Sequence, residues 1–329
     1  MHASRSLARI LSRENGILSQ TLARRHMAST GSGEVGFVGI GNMGSLMAKH
    51  LLDKGHKVTV FDLNKSVVND LVKQGAKAAT SVAELGESCH RVFTMLPTPD
   101  IIIDTYTGKD GLLSRASSST VLVDSSTIDP GTAKTVHKAA AAKNVKFFDA
   151  PVAGAVPAAR AGTLVFMVGG DEKEVKELLE PYLLCMGTSV YTCGPIGSGC
   201  VAKICNNMML AISMLGLSEA LLLGKNFGLD VKMVSEIINK GSGRCWSSEI
   251  YNPHPGVVPT APSTNDYNGG FRASLLYKDL GLASQVAREV RSPTPLGSLT
   301  HEIYRMLVNG GELSDKDFSV IYKYLSKKN

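Results

Sequence analysis

Two residues four positions apart, Lys203 and Asn207, stand in the segment Gly197-Ser198-Gly199-Cys200-Val201-Ala202-Lys203-Ile204-Cys205-Asn206-Asn207. On a helix this spacing stacks them on one face, one turn apart. A lysine whose pKa burial can tune, beside a neutral amide, can hold an alcohol and take its proton. A surface lysine next to a helix-interior asparagine has the same pattern, so the pair alone carries little weight. Two features upstream raise it: a glycine-rich fingerprint and, between fingerprint and lysine, a small-residue turn able to hold a carboxylate.

The fingerprint is Val35-Gly36-Phe37-Val38-Gly39-Ile40-Gly41-Asn42-Met43-Gly44, an apolar run entering G-x-G-x-x-G. Gly39 serves the tight turn and Gly41 the close approach of a pyrophosphate. Gly44 lets the helix pack on the strand, with its N-terminus toward the phosphates. A lone G-x-G-x-x-G is weak, but this one follows the first strand of the chain and opens a helix. A second strand ends at Asp62, 21 residues after Gly41. There a carboxylate accepts hydrogen bonds from the adenosine ribose and repels a 2′-phosphate, which predicts NAD over NADP; Lys65 is the one dissenting charge. Two further strand ends, Met95-Leu96-Pro97-Thr98 and Asp124-Ser125-Ser126-Thr127, are expected on the same crevice or as plain turns.

The elements that must carry these residues alternate. Strands are predicted at 35–40, 57–61, 91–95, 120–124 and 146–149, with helices near 43–54, 66–74 and 132–143 between them. Such alternation implies right-handed crossovers and a parallel sheet covered on both faces. Runs at 163–168 and 189–191, flanking a helix at 172–184, extend the sheet. From about Gly194 helical patterns dominate: 201–227, 232–239, 273–290, 296–308 and 316–325. The stretch 251–270, with four prolines and three glycines, lacks periodicity and reads as an ordered surface loop. The expected architecture is a Rossmann-type, doubly wound parallel α/β domain over 34–195, followed by an all-α domain over 196–329. No internal repeat is visible.

Residues 1–33 carry five arginines (Arg5, Arg9, Arg13, Arg24, Arg25) against one acid, Glu14. Arg5, Arg9 and Arg13 recur every four residues among Leu7, Ile10 and Leu11, the pattern of a basic amphipathic mitochondrial presequence or else a disordered basic tail. This segment holds +4 of the formal +6 charge, and the remaining +2 is no nucleic-acid signature. No run of 18 apolar residues exists, so no membrane span is expected. Six cysteines without a C-x-x-C pair or a Cys/His cluster predict neither a metal site nor a disulfide.

With these pieces placed, the chain resembles the β-hydroxyacid dehydrogenases from about Val35 to the C-terminus. The segments that carry the resemblance include FVGIGNMGSLMA, TMLPTPD, DSSTIDPG, DAPVAGAVPAARAGTLVFMVGG, GSGCVAKICNN, GRCWSSEIYNPHPGV, GGFRASLLYKDLGLA and LGSLTHEIYRM. The resemblance implies that Lys203 is the catalytic residue and that Asn207 helps hold the substrate. It implies that Ala153, Gly154 and Ala155 cradle the substrate carboxylate through backbone N–H groups. It also implies cofactor contacts from Gly39 through Gly44 (Ile40, Gly41, Asn42 and Met43 between), Asp62, Leu96, Pro97, Ile101 and Thr127. Lys278, by the same resemblance, reaches the nicotinamide side. A homodimer built through the helical domain and a mitochondrial matrix location follow as expectations. One departure matters. Where the family pattern reads D-A-P-V-S-G-G-x-G-A, this chain has Ala153, Ala155 and Pro157. A hydroxyl donor to a charged group, worth about 1.5–3 kcal/mol, is thereby lost, and the backbone donors stay available provided Ala155 needs no positive φ.

The implied reaction is NAD-dependent oxidation of 3-hydroxyisobutyrate to methylmalonate semialdehyde, with Lys203 as the base. The alternatives are another small β-hydroxyacid, such as tartronate semialdehyde's alcohol, a longer acid or serine, and a catalytically silent NAD-binding relative. Length and Asp62 disfavour a 6-phosphogluconate dehydrogenase. Trp246 is expected in the core or at the dimer interface, or as a wall of the substrate pocket, and His301 on the surface or at an interface.

Overall fold

The computed structural model describes residues 33–326; the expected presequence lies outside them, apart from Gly33. The sheet has nine strands: β1 (Val35–Val38), β2 (Val58–Phe61), β3 (Lys77–Ala78), β4 (Arg91–Thr94), β5 (Val121–Asp124), β6 (Lys146–Asp149), β7 (Val152–Ala153), β8 (Leu164–Gly169) and β9 (Gly187–Gly194). Their order is β3-β2-β1-β4-β5-β6-β8-β7, with β9 paired to β8. The first six run parallel, as in Val35↔Val58 and Val35↔Arg91. This is the 3-2-1-4-5-6 order whose reversal beside β1 opens a ligand crevice.

The sheet is mostly parallel, as expected, and departs from that only beyond β6. There β8 runs antiparallel to β6 and to the two-residue β7, and β9 then runs parallel to β8. The chain enters β8 by folding back through a short helix rather than by a full crossover, and apolar alternation carries no information on strand direction.

Central strands such as β1 and β5 are buried throughout, because helices cover both faces. Helix α1 (Gly44–Asp53) sets Met47 and Leu51 against Tyr182 and Leu183 in one core. The opposite core gathers Leu85, Ile102, Tyr106, Leu112 and Val136 from α3 (Val82–Ser88), α4 (Pro99–Thr107), α5 (Leu112–Arg115) and α6 (Pro130–Ala141). Helix α2 (Lys65–Val72) and α3, α4 and α6 start at side-chain caps: Asn64, Ser81, Thr98 and Asp129. Helix α1 has none, and no acid stands in its first turn. Ser45 and Met47 N–H donate to the Gly41 and Met43 carbonyls, and the remaining first-turn N–H groups are left for another partner. Two helices complete this domain: α7 (Ala155–Ala161), and α8 over 172–186, which has a π-helical turn at Val175–Leu179.

Helix α9 (Ser198–Phe227) joins the domains. Cys200, near its start, belongs to the core of the α/β domain, whereas Ala211, Met214 and Leu215 belong to that of the helical domain. By length and composition α9 could cross a membrane, yet its buried positions recur from Gly199 to Gly224 along the whole helix. Around it lie α10 (Val231–Lys240), α11 (Trp246–Glu249), α12 (Ala273–Glu289), α13 (Pro295–Asn309) and α14 (Ile321–Ser326). The expected helix at 316–325 is a 3₁₀ turn, Phe318–Val320, continuing into α14.

The stretch 251–270 is the ordered, irregular segment expected, much of it exposed, but it is not confined to the surface. Tyr251, Asn252, Ala261, Ser263 and Tyr267 are buried. Each is pinned individually: the Tyr267 hydroxyl donates to Pro253 O (2.9 Å) and the Ser263 hydroxyl to Asn252 O (2.7 Å). Trp246 is not a core residue either; it is 45% exposed and stacks on Tyr251 at 4.8 Å. His301 is partly buried and stacks on Tyr277.

Candidate active site

A cleft of about 1340 Å³ runs between the domains, along the carboxyl ends of β1, β2 and β4. Gly39, Gly41, Asn42, Met43, Gly44, Asp62, Leu96, Pro97, Ile101 and Thr127 line one side; Lys278 and Asp279 line the other. Ile40, buried beneath Gly41, anchors the glycine turn to the core.

The three glycines differ in what demands them. A Cβ at Gly39 or at Gly44 would collide with backbone, the Met95 carbonyl and the Gly39 carbonyl respectively. A Cβ at Gly41 would meet nothing within 4 Å. No neighbour in the protein forbids a side chain at 41, so the open space there fits a ligand that must come close to the backbone. The first turn of α1 has no side-chain cap and points its N-terminus at the same space. Ser45 and Met47 N–H donate to the Gly41 and Met43 carbonyls, and the other first-turn N–H groups face the space, as a pyrophosphate requires.

Asp62 is held rigidly. Its Oδ2 accepts from Ile40 N–H (2.9 Å) and its Oδ1 from Asn64 N–H (2.8 Å), which ties the end of β2 to the glycine turn. Lys65 does not reach into this corner as a free cation; its ammonium lies over the Phe61 ring, 5.3 Å from the centroid. The two further strand ends are coupled, since Leu96 N–H donates to the Ser126 hydroxyl (2.8 Å).

Lys278 bridges the domains. From α12 its Nζ donates to Thr127 O (2.8 Å), with Pro97 O at 3.5 Å. The same ammonium lies 3.3 Å from Asp279 Oδ1. Asp279, 2% exposed, also accepts from the Asn207 amide at 2.6 Å. Lys203 and Asn207 are set behind this wall, on the face of α9 that looks at α12. Burial pushes the Lys203 pKa down to about 8; the charge of Asp279 opposes the shift and that of Lys278 adds to it. Burial likewise raises Asp279, against the pull of Lys278, Lys203 and the Asn207 amide. The result is a lysine poised between charged and neutral, with a buried acid linking it to an amide and to a second lysine. Such a group can exchange a proton with an alcohol near neutral pH.

Asp279 was not singled out from the sequence. Its only signal is a lone acid directly after Lys278 in an apolar helical run, Tyr277-Lys278-Asp279-Leu280. Phe271 and Arg272 also line the cleft, and their segment points to no role by composition.

The small-residue turn lies at the cleft through Ala155 and Val156. Ala153 ends β7, and Gly154 (φ +125°) starts α7 without a side-chain cap. The proviso attached to Ala155 fails: its φ is +53°. A non-glycine residue there costs about 1 kcal/mol, so this turn keeps a glycine-like shape despite the alanine.

A Rossmann sheet with an open glycine turn, a ribose-side carboxylate and a partly buried lysine on a following helical domain defines a two-domain NAD-binding dehydrogenase. Comparison with known proteins agrees. Residues 34–194 match the model of the NAD binding domain of 6-phosphogluconate dehydrogenase, and residues 197–325 that of the NAD-binding region of NADP-dependent 3-hydroxyisobutyrate dehydrogenase. The mitochondrial 3-hydroxyisobutyrate dehydrogenase of Drosophila melanogaster is 48% identical over 94% of both chains. The human enzyme of that name is 47% identical over 89% of this chain and 87% of its own. A Mycobacterium tuberculosis 3-hydroxyisobutyrate dehydrogenase solved with L-serine superposes with a TM-score of 0.83 at 36% identity, covering 89% of this chain and 99% of that one. The chain belongs to the 3-hydroxyisobutyrate dehydrogenase family.

Proposed function

We propose that this protein oxidises 3-hydroxyisobutyrate to methylmalonate semialdehyde with NAD, in the mitochondrial matrix. The observation that carries the reading is Lys203, partly buried behind the dinucleotide cleft, beside Asp279 and Lys278, with its pKa pushed down to about 8. At the alkaline pH of a matrix, about half of such lysines are neutral and can accept the alcohol proton on Nζ. Asn207 gives its amide N–H to Asp279 and accepts from the Asn206 amide on its carbonyl oxygen (3.1 Å), which holds that oxygen in place with a second lone pair left for a substrate hydroxyl. Backbone N–H groups at Ala153, Gly154 and Ala155 take the substrate carboxylate, and the Lys278 ammonium supplies compensating charge. Bound NAD supplies the hydride acceptor.

The fixed carboxylate of Asp62 supports NAD over NADP, although the family model covering 197–325 is described as NADP-dependent. That model spans the helical domain, whereas the ribose is met by Asp62 in the other one. We read 34–195 as the cofactor domain and 196–329 as the substrate and dimerisation domain. The homodimer is supported by the apolar side chains that the helical domain leaves exposed, among them Leu223, Phe227 and Ile237. The matrix location is supported by the basic segment 1–33 and by the mitochondrial names of the relatives.

L-Serine is a second candidate substrate. A Pseudomonas aeruginosa relative, 43% identical over 88% of this chain and 97% of its own, is named NAD-dependent L-serine dehydrogenase, and the mycobacterial neighbour was solved with serine. Initial rates of NAD reduction decide the matter, comparing 3-hydroxyisobutyrate, 3-hydroxypropionate, glycerate and serine, with NADP as cofactor control and Lys203→Ala as blank. Preference for 3-hydroxyisobutyrate with NAD, lost in the variant, is expected. Turnover confined to another acid would reassign the substrate, and NAD binding without any turnover would favour the silent relative.

A further inference from the structure

Helix α9 carries Lys203 and Asn207, yet its own sequence gives it no cap. Its N-cap position is Gly197, with φ +92° and no side chain to offer. Both bonds that usually secure such an end are supplied from elsewhere by one carboxylate. Asp149, at the end of β6, accepts from Gly197 N–H on Oδ1 (2.7 Å) and from Cys200 N–H on Oδ2 (2.9 Å). In an ordinary capping box the N-cap side chain takes the N–H three residues on, and a second side chain takes the N–H of the N-cap residue. Here Asp149 does both.

The surroundings are shaped for it. A Cβ at Gly199 would lie 2.9 Å from Asp149 Oδ2, and one at Gly169 would overlap Oδ1. Asp149 is wholly buried and forms no part of the cleft wall. It also begins the chain segment that reaches Ala153, Gly154 and Ala155, so one residue connects the lysine helix with the small-residue turn.

We infer that Asp149 is the positioning residue for the reaction: by gripping the first turn of α9 from the sheet, it sets the height and rotation at which Lys203 meets the cleft. The inference rests on the proposed base role of Lys203. Cys200 and Lys203 are three residues apart on a continuous helix, about 4.5 Å along its axis. Any slip or twist of the first turn is therefore passed directly to the lysine. A displacement of about 1 Å in a reacting group can lower turnover roughly 100-fold.

The test compares Asp149→Ala, which removes both acceptors, with Asp149→Asn, which keeps one acceptor for the two donors, in the full chain. Expected for alanine is a fall in kcat of about 10- to 100-fold, with the NAD dissociation constant held within about twofold. Asparagine should lie between alanine and the parent. The rising limb of the kcat/KM profile should also move to higher pH, toward an ordinary lysine, as Lys203 leaves its packed setting. A lost cap that mattered only for stability would lower the melting temperature without moving that limb. The inference is overturned if kcat in Asp149→Ala stays within about twofold of the parent, or if kcat and NAD affinity fall together with the limb in place. Should the alanine variant not be recovered folded, Asp149→Asn is judged by the same two criteria. Lys203→Arg, run alongside, separates the two ideas: full turnover there removes the base role itself, whereas loss there with an active Asp149→Ala removes only the positioning role.

Discussion

Replacing Lys203 by arginine tests the chemistry directly, because arginine keeps the charge and much of the length but not the ability to lose a proton. The size of the effect follows from the setting of the lysine. An ordinary lysine, with a pKa of 10.5, is neutral in only about 0.3% of molecules at pH 8, whereas one at about 8 is neutral in about half. Burial thus raises the population of the working base by roughly 150-fold at that pH. Arginine loses this population altogether, and removal of a general base typically costs about 100- to 10,000-fold. The assay is steady-state NAD reduction from pH 6.5 to 9.5 with saturating cofactor, and calorimetric titration of NAD as a check on the fold. In the parent, log kcat/KM should rise with unit slope and level off above about pH 8; in Lys203→Arg it should be at least about 100-fold lower throughout, with NAD still bound. Turnover by the arginine variant within a few-fold of the parent, or a parent profile flat across that range, would refute the reasoning.

Other consequences can be checked in the same preparations. Asp279 raises the Lys203 pKa, so Asp279→Asn should move the rising limb below pH 8; no movement, or movement upward, counts against the coupling. Gly41→Ala should melt with the parent but bind NAD more weakly, because its methyl enters empty space, whereas Gly44→Ala should destabilise the fold by collision with the Gly39 carbonyl. Comparable melting losses in both would mean that the open space at Gly41 has no ligand to serve. Asp62→Ala should narrow the preference for NAD over NADP by about tenfold or more, a hydrogen bond to a charged group being worth about 1.5–3 kcal/mol; an unchanged ratio of kcat/KM values would exclude it as the selector. Asp124 is fully buried, and burial raises its pKa to about 6. Its contribution to stability is therefore fully present below pH 4 and lost as pH rises through about 6. In urea unfolding, the advantage of Asp124→Asn over the parent should grow by about 1.5 kcal/mol between pH 5 and pH 8, and a constant difference would show that no such buried charge exists.

The parts of this molecule that could be read from the chain are those whose physics is local. The glycine turn, the ribose-side Asp62 and the i, i+4 pair of Lys203 and Asn207 each follow from a short spacing and a backbone requirement. Strand direction does not, and so the reversal of β8 was invisible. The 251–270 segment was legible as an ordered irregular stretch, but not which of its residues turn inward, because these are anchored one at a time, by Tyr267 to Pro253 and Ser263 to Asn252, leaving no period to detect. The acids around the site were hidden for a related reason. Asp279 and Asp149 act on groups 72 and 48 residues away or more, and nothing in their immediate neighbours distinguishes them from a helix-surface acid or a strand-end turn.

Keeping a lysine nearly neutral demands that its surroundings not relax, since a small opening would admit water and restore the charged form. The course of α9 meets that demand. Lys203 lies between Cys200, packed in the core of the α/β domain, and Ala211, packed in the core of the helical domain. It is therefore fixed from both sides on one unbroken helix. Lys278 closes the remaining side by bonding from α12 to the Thr127 carbonyl beyond β5. A lysine on a loop, or on a helix belonging to only one domain, would escape to solvent when the domains shifted. Placed at the junction, Lys203 stays only partly exposed as long as the two cores remain packed, and that partial removal from water is what lowers its pKa.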